Sequence, residues 1–509
     1  MRLSELLQPL LLFKIVSSGS PINADPVIRG ITADSRRIRE GDLFICLPGA
    51  LCDGHDFAAE AASNGAAAVL GERMALGLDA VSIPFIQVPD SRRAMAVLAD
   101  RFYARPSAHL RMIGVTGTNG KTTVTHMIRD ILEADQRKTG LIGTLNMTVG
   151  QYSEPTANTT PDALELQRML HVMRREGASH AVLEVSSHAL AMGRVRSVDM
   201  DIAVFTNLTH DHLDYHETMD QYRNAKAHLF AQLDNACRPN GTKFAILNGD
   251  EPASFYYGSQ TAAQVIRYAI DNNEAEVRAS DVELRPDGSR ARVDTMKGSF
   301  ELSLQVPGLF NIYNALAAAA ACLVEGVPLE TIRGSLERFG GVKGRFQRLQ
   351  AGQPFSLLID YAHNPDGLRN VLQAAKTFTR GRVVCVVGCE GDRDRPKRPV
   401  MAEIAALHAD LAVFTSDNTR SEQPEAILHE MNAGLADKPE LACKTVSIAD
   451  RREAIYYALR QAEYADDCVI IAGKGHEAYQ IVGDKKIPFD DALVARDAVQ
   501  LILEERGLR

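Results

Sequence analysis

The stretch Gly114–Thr123, GVTGTNGKTT, decides how the rest of the chain is read. An apolar run, RMIGV, leads into it, and TTVTHMIRDILEAD leads out with helical periodicity. A strand, a glycine-rich turn and a helix in that order make a cradle for an anion. Glycines let the backbone turn tightly so that its N–H groups converge at the positive end of the helix. Lys121 then reaches the terminal phosphates of a nucleotide, and the Thr122 hydroxyl faces Mg²⁺. The spacing departs from the usual phosphate loop, because Val115 stands where its first glycine would be. Gly114, Gly117 and Gly120 give GxxGxxGKT instead. A merely structural glycine turn would not need Lys-Thr-Thr at the junction.

Working outward, short apolar runs alternate with helical stretches, the pattern of parallel α/β units. After the loop come the strands HAVLEV, DIAVFTNL and FAILN. Beyond GVKGRFQRL, where glycines punctuate the chain, come SLLIDY, RVVCVVG, LAVFTSD and CVIIAG. Each runs straight into a polar cluster: SSH, THDHLDYH and NGDE, then AHNPDG, CEGDRDRPKR, NTRSE and KGHE. In a parallel sheet such clusters share the carboxyl edge, where ligands bind. Ordinary loops are polar too, but charged groups after so many consecutive strands point to a site. The expected boundaries are 1–107, 108–341 and 342–509. The first block is of mixed pattern and ends in the helix SRRAMAVLADRFYARP, stopped by Pro106.

Length and composition agree. A chain of 509 residues exceeds one ordinary core. Apolar residues make up 45% and charged residues 24%, as in globular proteins. The net charge of −9 argues against a chain built to hold nucleic-acid backbone. Eight cysteines occur without a CxxC pair, and Cys385 and Cys389 read as small buried hydrophobes rather than ligands. The start, MRLSELLQPLLLF, is short, broken by Pro9 and without a small-residue cleavage site. No segment has the length of a membrane span. The reading is a cytoplasmic protein with no membrane insertion and no nucleic-acid partner.

Two further clusters carry chemistry. Glu184 ends an apolar strand, where an acid suits Mg²⁺. THDHLDYH brings His210, Asp211, His212, Asp214 and His216 together, with a spacing that fits no zinc pattern. Lys226, in YRNAKAHLF, reads on sequence alone as a solvated lysine on a helix.

The chain resembles the Mur ligases along essentially its whole length, and within them the branch that adds the third residue of the peptidoglycan stem peptide. The motifs are ADSRRIREGDLF, GALCDGHDF, GVTGTNGKTT, NTTPD, EVSSH, TNLTHDHLDYH, GLFNIYNALAA, DYAHNPD, GDRDRPKRP, SDNTR and GKGHE, in that order. The resemblance implies three α/β domains: an N-terminal mixed domain for the UDP-sugar, a central parallel-sheet ATPase domain and a C-terminal Rossmann-like domain for the amino acid. It implies a monomer that uses ATP and Mg²⁺ to turn a carboxylate into an acyl phosphate, which an amine then attacks.

By resemblance, Gly117, Thr118, Asn119, Gly120, Lys121, Thr122, Thr123, Asn314, Arg345, Asp360 and His363 hold ATP. Lys121, Glu184, His212 and Lys226 are catalytic. Lys226 is carbamylated by CO₂, and as a carbamate it orients Mg²⁺ with Thr122, Glu184 and His212. Ser35, Thr159, Thr160, Ser186 and Arg194 hold the UDP-N-acetylmuramoyl dipeptide. Met192 stands where many relatives have Gln, so one contact there is lost.

Relatives divide between meso-diaminopimelate and L-lysine, which lacks the distal carboxylate. A guanidinium suits that carboxylate. Here the loop is Asp417-Asn418-Thr419-Arg420, so the arginine is present. Arg393 matches a second carboxylate contact, and Gly473 and Glu477 match the groups that take the distal ammonium. The expected substrate is therefore meso-diaminopimelate. Thr419 replaces Pro, which loosens the loop by roughly 0.4–1 kcal/mol. Glu390 stands where relatives tend to have Gly, and either weakens binding of a dicarboxylate or points to water. The competing readings are the same ligase acting on L-lysine, a folylpolyglutamate synthetase, an idle nucleotide-binding homologue and a phosphate-loop ATPase switch.

Overall fold

The computed structural model describes residues 1–16, 25–49, 52–74, 83–234, 241–285 and 287–506. They form two compact units. One comprises Met1–Gly114, Arg137–Asp201 and Cys237–Gly241, and the other Val115–Gln136, Ile202–Ala236 and Thr242–Arg509.

The first unit opens with a five-stranded sheet in the order Lys14–Val16, Phe85–Gln87, Ala68–Gly71, Asp42–Ile45, Gly30–Thr32. Four strands are parallel and Lys14–Val16 is antiparallel, the mixed character expected. The helix Ser91–Phe102 is capped by Asp90, whose carboxylate accepts the Arg93 N–H at 2.8 Å. It ends before Pro106, because Ala104 and Arg105 take left-handed conformations (φ 60° and 48°). The same unit carries His180–Glu184 parallel to Thr139–Ile142, extended by the antiparallel strands Met147–Val149 and Tyr152–Glu154.

In the second unit, Ile202–Phe205, Phe244–Asn248, Gln264–Ala269 and Val277–Arg285 run parallel. Gly288–Thr295 and Gly298–Leu304 continue antiparallel. The expected parallel core is present; the antiparallel flanks are additions to it. The helix Lys121–Ala134 packs on Leu309–Val324, whose alanines are buried. Small side chains on good helix formers allow that close approach.

The last sheet has the order Gln347–Arg348, Ser356–Asp360, Cys468–Ala472, Val383–Cys389, Leu411–Ser416, Thr445–Ser447. All neighbours but the first pair are parallel. Val383, Cys385, Val387 and Cys389 enter the core on one face, and Val384 and Val386 that on the other. Apolar residues at both phases of the strand period are what helices on both faces require. Cys385 and Cys389 are buried, and burial pushes both thiols up to about 12.

Candidate functional site

The phosphate loop follows the strand Arg111–Thr116. Gly117 has φ +151°, and a Cβ there would lie 1.8 Å from Thr206 Oγ1. Gly120, at φ +87°, caps the helix Lys121–Ala134, and its Cβ would meet Asn314 Oδ1 at 2.5 Å. Side chains are thus excluded where the backbone must approach a phosphate. Asn207 holds the loop from beside it: its carbonyl accepts the Thr118 N–H and its Oδ1 the Asn119 N–H, both at 2.9 Å. Lys121 Nζ donates to the carbonyls of Gly117 and Thr118, at 2.9 and 2.7 Å.

A cavity of about 590 Å³ opens beside this loop, lined among others by Asn119, Gly120, Thr123, Asn314, Arg345 and Asp360. Arg345 lies 4.4 Å over the Tyr361 ring and donates to Thr122 Oγ1 at 3.2 Å. Asp360 accepts the backbone N–H groups of Phe346 (2.5 Å) and Ala362 (2.7 Å), and burial raises its pKa above the usual range. His363 Nδ1 sits 2.8 Å from the Tyr361 carbonyl. Of the residues expected at the nucleotide, Asn119, Gly120, Thr123, Asn314, Arg345 and Asp360 line this cavity, whereas Gly117, Thr118, Lys121, Thr122 and His363 are not among its lining residues.

The neighbouring charges are organised partly by Asn364, Asp366, Asp394 and Lys397, which the sequence reading did not name singly. Asn119 Nδ2 donates to Asp366 Oδ2 (2.9 Å). Asn364 Nδ2 donates to Asn119 Oδ1 (3.1 Å) and to Asp211 Oδ2 (3.0 Å). Burial pushes the Asp211 carboxyl up, but the charges of His212, His363 and Lys397 and the Asn364 hydrogen bond outweigh it and hold it low. His210 pairs with Asp394 at 3.1 Å, joining THDH to GDRD.

Lys226 corrects the solvated-helix reading. It is 1% exposed on the helix Met219–Ala231, donates to the Gly117 carbonyl at 2.8 Å and lies 4.4 Å from the Tyr222 ring centre. Burial, reinforced by Lys121 and opposed by Asp211, drives its pKa well below that of an ordinary lysine. His212 adopts φ 57° at the start of the short helix Leu213–His216.

Among the described residues no three His, Cys, Asp or Glu side chains form a ready metal cluster. The donor set nevertheless fits Mg²⁺, which keeps waters and takes one or two protein oxygens plus phosphate oxygens. Thr122 supplies a buried hydroxyl at the first turn of the helix Lys121–Ala134.

In the first unit, Glu184 is 1% exposed and accepts from Thr144 N (2.9 Å) and Thr144 Oγ1 (3.0 Å). Thr160 Oγ1 lies 3.4 Å from Ser186 Oγ, Arg194 donates to the Thr160 carbonyl at 2.9 Å, and Thr159 Oγ1 lies 3.1 Å from Thr144 Oγ1. Met192 Sδ accepts from Arg194 at 3.4 Å, so the thioether bonds within the protein. Ser35 opens the short turn Ser35–Arg37; among the described residues no hydrogen bond joins it to the Thr160 group.

The residues expected around the amino acid do gather. Lys474, buried and absent from the sequence reading, donates to Asp417 Oδ1 (3.3 Å), Asn418 Oδ1 (3.1 Å) and Glu477 Oε2 (2.8 Å). Its signal in the sequence was a lysine between two glycines directly after an apolar strand. Asn418 Nδ2 donates to both Glu390 Oε1 and Glu477 Oε2, each at 3.1 Å. Arg420 donates to Glu390 Oε1 at 3.1 Å, and Arg393 Nε lies 3.8 Å from Glu390 Oε2. Of the two expectations for Glu390, pointing to water is therefore wrong: two cations draw the side chain inward. Thr419 is buried in the loop. Arg420 N–H donates to the Ile481 carbonyl (3.0 Å), and Gly473 follows at the end of Cys468–Ala472.

Sequence profiles of three domains match the chain: the Mur ligase family catalytic domain over residues 27–103, the Mur ligase middle domain over 115–322 and the Mur ligase glutamate ligase domain over 344–475. A UDP-N-acetylmuramoyl-L-alanyl-D-glutamate–2,6-diaminopimelate ligase of Geobacillus kaustophilus is 50% identical over 483 residues, covering 95% of this chain and 96% of that one. The ligase of the same name from Listeria monocytogenes is 46% identical, covering 98% and 99%. A solved structure of a ligase of that name superposes with a TM-score of 0.64 at 33% identity, over 93% of this chain and 95% of the other.

Proposed function

The chain belongs to the Mur ligase family, and from that premise we infer that it joins meso-diaminopimelate to UDP-N-acetylmuramoyl-L-alanyl-D-glutamate at the expense of ATP, in peptidoglycan synthesis. The observation that carries the choice of amino acid is the placement of Arg393 and Arg420 around a single carboxylate, that of Glu390. A pair of guanidiniums that accepts one carboxylate is built to accept another. Beside it, Glu477 and the end of the strand at Gly473 offer the negative groups for an ammonium.

The reading divides the chain into a UDP-sugar-binding block (1–107), an ATP-binding block (108–341) and an amino-acid-binding block (342–509), acting as a monomer in the cytoplasm. Among the described residues no helix is long and apolar enough to cross a membrane. Gly117 to Thr123 cradle the phosphates of ATP, with Lys121 on the terminal ones and Asn314, Arg345, Asp360 and His363 around the rest of the nucleotide. Thr159, Thr160, Ser186 and Arg194 hold the dipeptide, and Ser35 takes its part through the resemblance. Thr122 and Lys226, as a carbamate, would hold Mg²⁺ together with His212 and Glu184, the last two through the resemblance; the ion would supply charge neutralisation for the phosphoryl group.

The dipeptide carboxylate attacks the terminal phosphorus, forming an acyl phosphate and releasing ADP. Lys121 stabilises the charge on the phosphoryl oxygens. The neutral amine of the amino acid then attacks the acyl carbon, and phosphate leaves the tetrahedral intermediate. Arg393 and Arg420 fix the far end so that only one amine reaches that carbon.

The test is a ligation assay with ATP, Mg²⁺, the UDP-dipeptide and either meso-diaminopimelate or L-lysine, read by product mass. A diaminopimelate adduct in large excess is expected. A lysine adduct would keep the ligase and overturn the role of Arg420. ATP hydrolysis without either adduct would favour an ATPase switch.

A further inference from the structure

We propose that Glu390 is a tethered carboxylate that occupies the guanidinium pair meant for the distal carboxylate of the amino-acid substrate, and so sets the enzyme's affinity for that substrate. This rests on the reading that Arg393 and Arg420 receive that carboxylate.

Glu390 follows directly on the strand Val383–Cys389. Its main chain is fixed: the carbonyl accepts from Arg398 at 2.9 Å, and Arg398 is itself buried and bound to Glu422 and Glu430. Its side chain is not fixed in the same way. It is 22% exposed, and its partner Arg393 is 48% exposed, so the carboxylate has an open route to solvent. While it stays inward, one oxygen takes hydrogen bonds from Arg420 and Asn418, and the other faces Arg393.

Two carboxylates cannot use the same guanidinium edge. The substrate acid therefore binds only in the fraction of molecules whose Glu390 has swung away, and the apparent dissociation constant is the intrinsic one divided by that fraction. An amino acid that lacks the distal carboxylate meets no such competition.

The experiment is steady-state ligation by the full chain and by Glu390→Gln and Glu390→Gly. Gln keeps the shape without the charge, and Gly removes the side chain. Expected is a fall in KM for meso-diaminopimelate of about three- to tenfold in both variants, with KM for ATP and kcat unchanged. An unchanged KM in both would overturn the proposal. A raised KM would also overturn it, and would make Glu390 a support for Arg420. A wild-type enzyme that forms no diaminopimelate adduct would bring down the ligase reading first, and the proposal with it.

Discussion

Lys226 and Gly117 stand 109 positions apart in the chain, yet the lysine's Nζ donates to the glycine's carbonyl oxygen across 2.8 Å. That bond places an amine, made unusually easy to deprotonate by burial and by Lys121, against the backbone of the phosphate loop. A neutral amine is the form that attacks CO₂, which is the chemical basis of the proposed carbamate.

Replacing Lys226 by Ala should lower ligation by about 10²–10³-fold, the usual scale for one electrostatic group in a transition state. A short carboxylic acid such as acetate should restore part of it. Activity that survives intact in Lys226→Ala would remove the carbamate from the mechanism.

Arg420→Ala should raise KM for meso-diaminopimelate about 10- to 100-fold, since a hydrogen bond to a charged group contributes roughly 1.5–3 kcal/mol. KM for ATP should not change. The loop should persist in the variant, because its backbone bonds, Arg420 N to Ile481 O and Gly483 N to Arg420 O, do not involve the side chain. Equal effects on both substrates would return Arg420 to the surface.

Burial pushes the Glu251 carboxyl up to about 7, with Asp366 and Asp250 adding to the shift. The folded state thus holds this proton more tightly than the unfolded chain, whose carboxyl titrates near 4.3. Its contribution to stability is complete below that value and is lost as pH rises to about 7. With partial exposure to solvent taken into account, the loss is about 1–2 kcal/mol. Urea denaturation at several pH values should show this decline in the wild type and a flatter profile in Glu251→Gln. Parallel profiles would show that Glu251 titrates normally.

The parallel strands His180–Glu184, Ile202–Phe205, Phe244–Asn248, Ser356–Asp360, Val383–Cys389, Leu411–Ser416 and Cys468–Ala472 are legible from sequence because their apolar residues fill both phases of the strand period, whereas the short strands of the first 107 residues and Thr139–Ile142 are not. The antiparallel strands Val277–Arg285 and Gly288–Thr295 are harder to read: exposed charges such as Glu283, Arg290 and Arg292 are interspersed with buried Val277, Ala279 and Ala291. Motifs located the phosphate loop and the SDNTR loop, because glycines and charges in those patterns have local causes. Lys226 has none. Its burial shows only in the structure, where its Nζ meets the Gly117 carbonyl, 109 residues away, and the Tyr222 ring. The inward turn of Glu390 is largely non-local too: Arg393 is three residues away, but the two residues that donate to it, Asn418 and Arg420, are 28 and 30 residues further along the chain.

A stability prediction concerns Arg451 and Asp491, a buried pair bonded through two contacts of 2.8 and 2.7 Å. Arg451 also donates to the carbonyls of Ser416 and Ala472, at the ends of two strands beside the amino-acid loop. Asp491→Ala leaves a buried guanidinium without its anion and should cost about 3–5 kcal/mol. Chemical denaturation measures this; a loss under about 1 kcal/mol would mean that water or a new partner replaces the carboxylate.

The side-chain amides of Asn119 and Asn364 bond each other, one from the phosphate loop and the other from the cap of the helix Pro365–Phe378. Each also holds a carboxylate, Asp366 and Asp211 respectively. The last third of this chain is therefore not a freely exchangeable module. A chimera that grafts it from another ligase keeps a sound phosphate loop only if the graft brings an amide at position 364 and an acid at position 366, however well its own amino-acid pocket is formed.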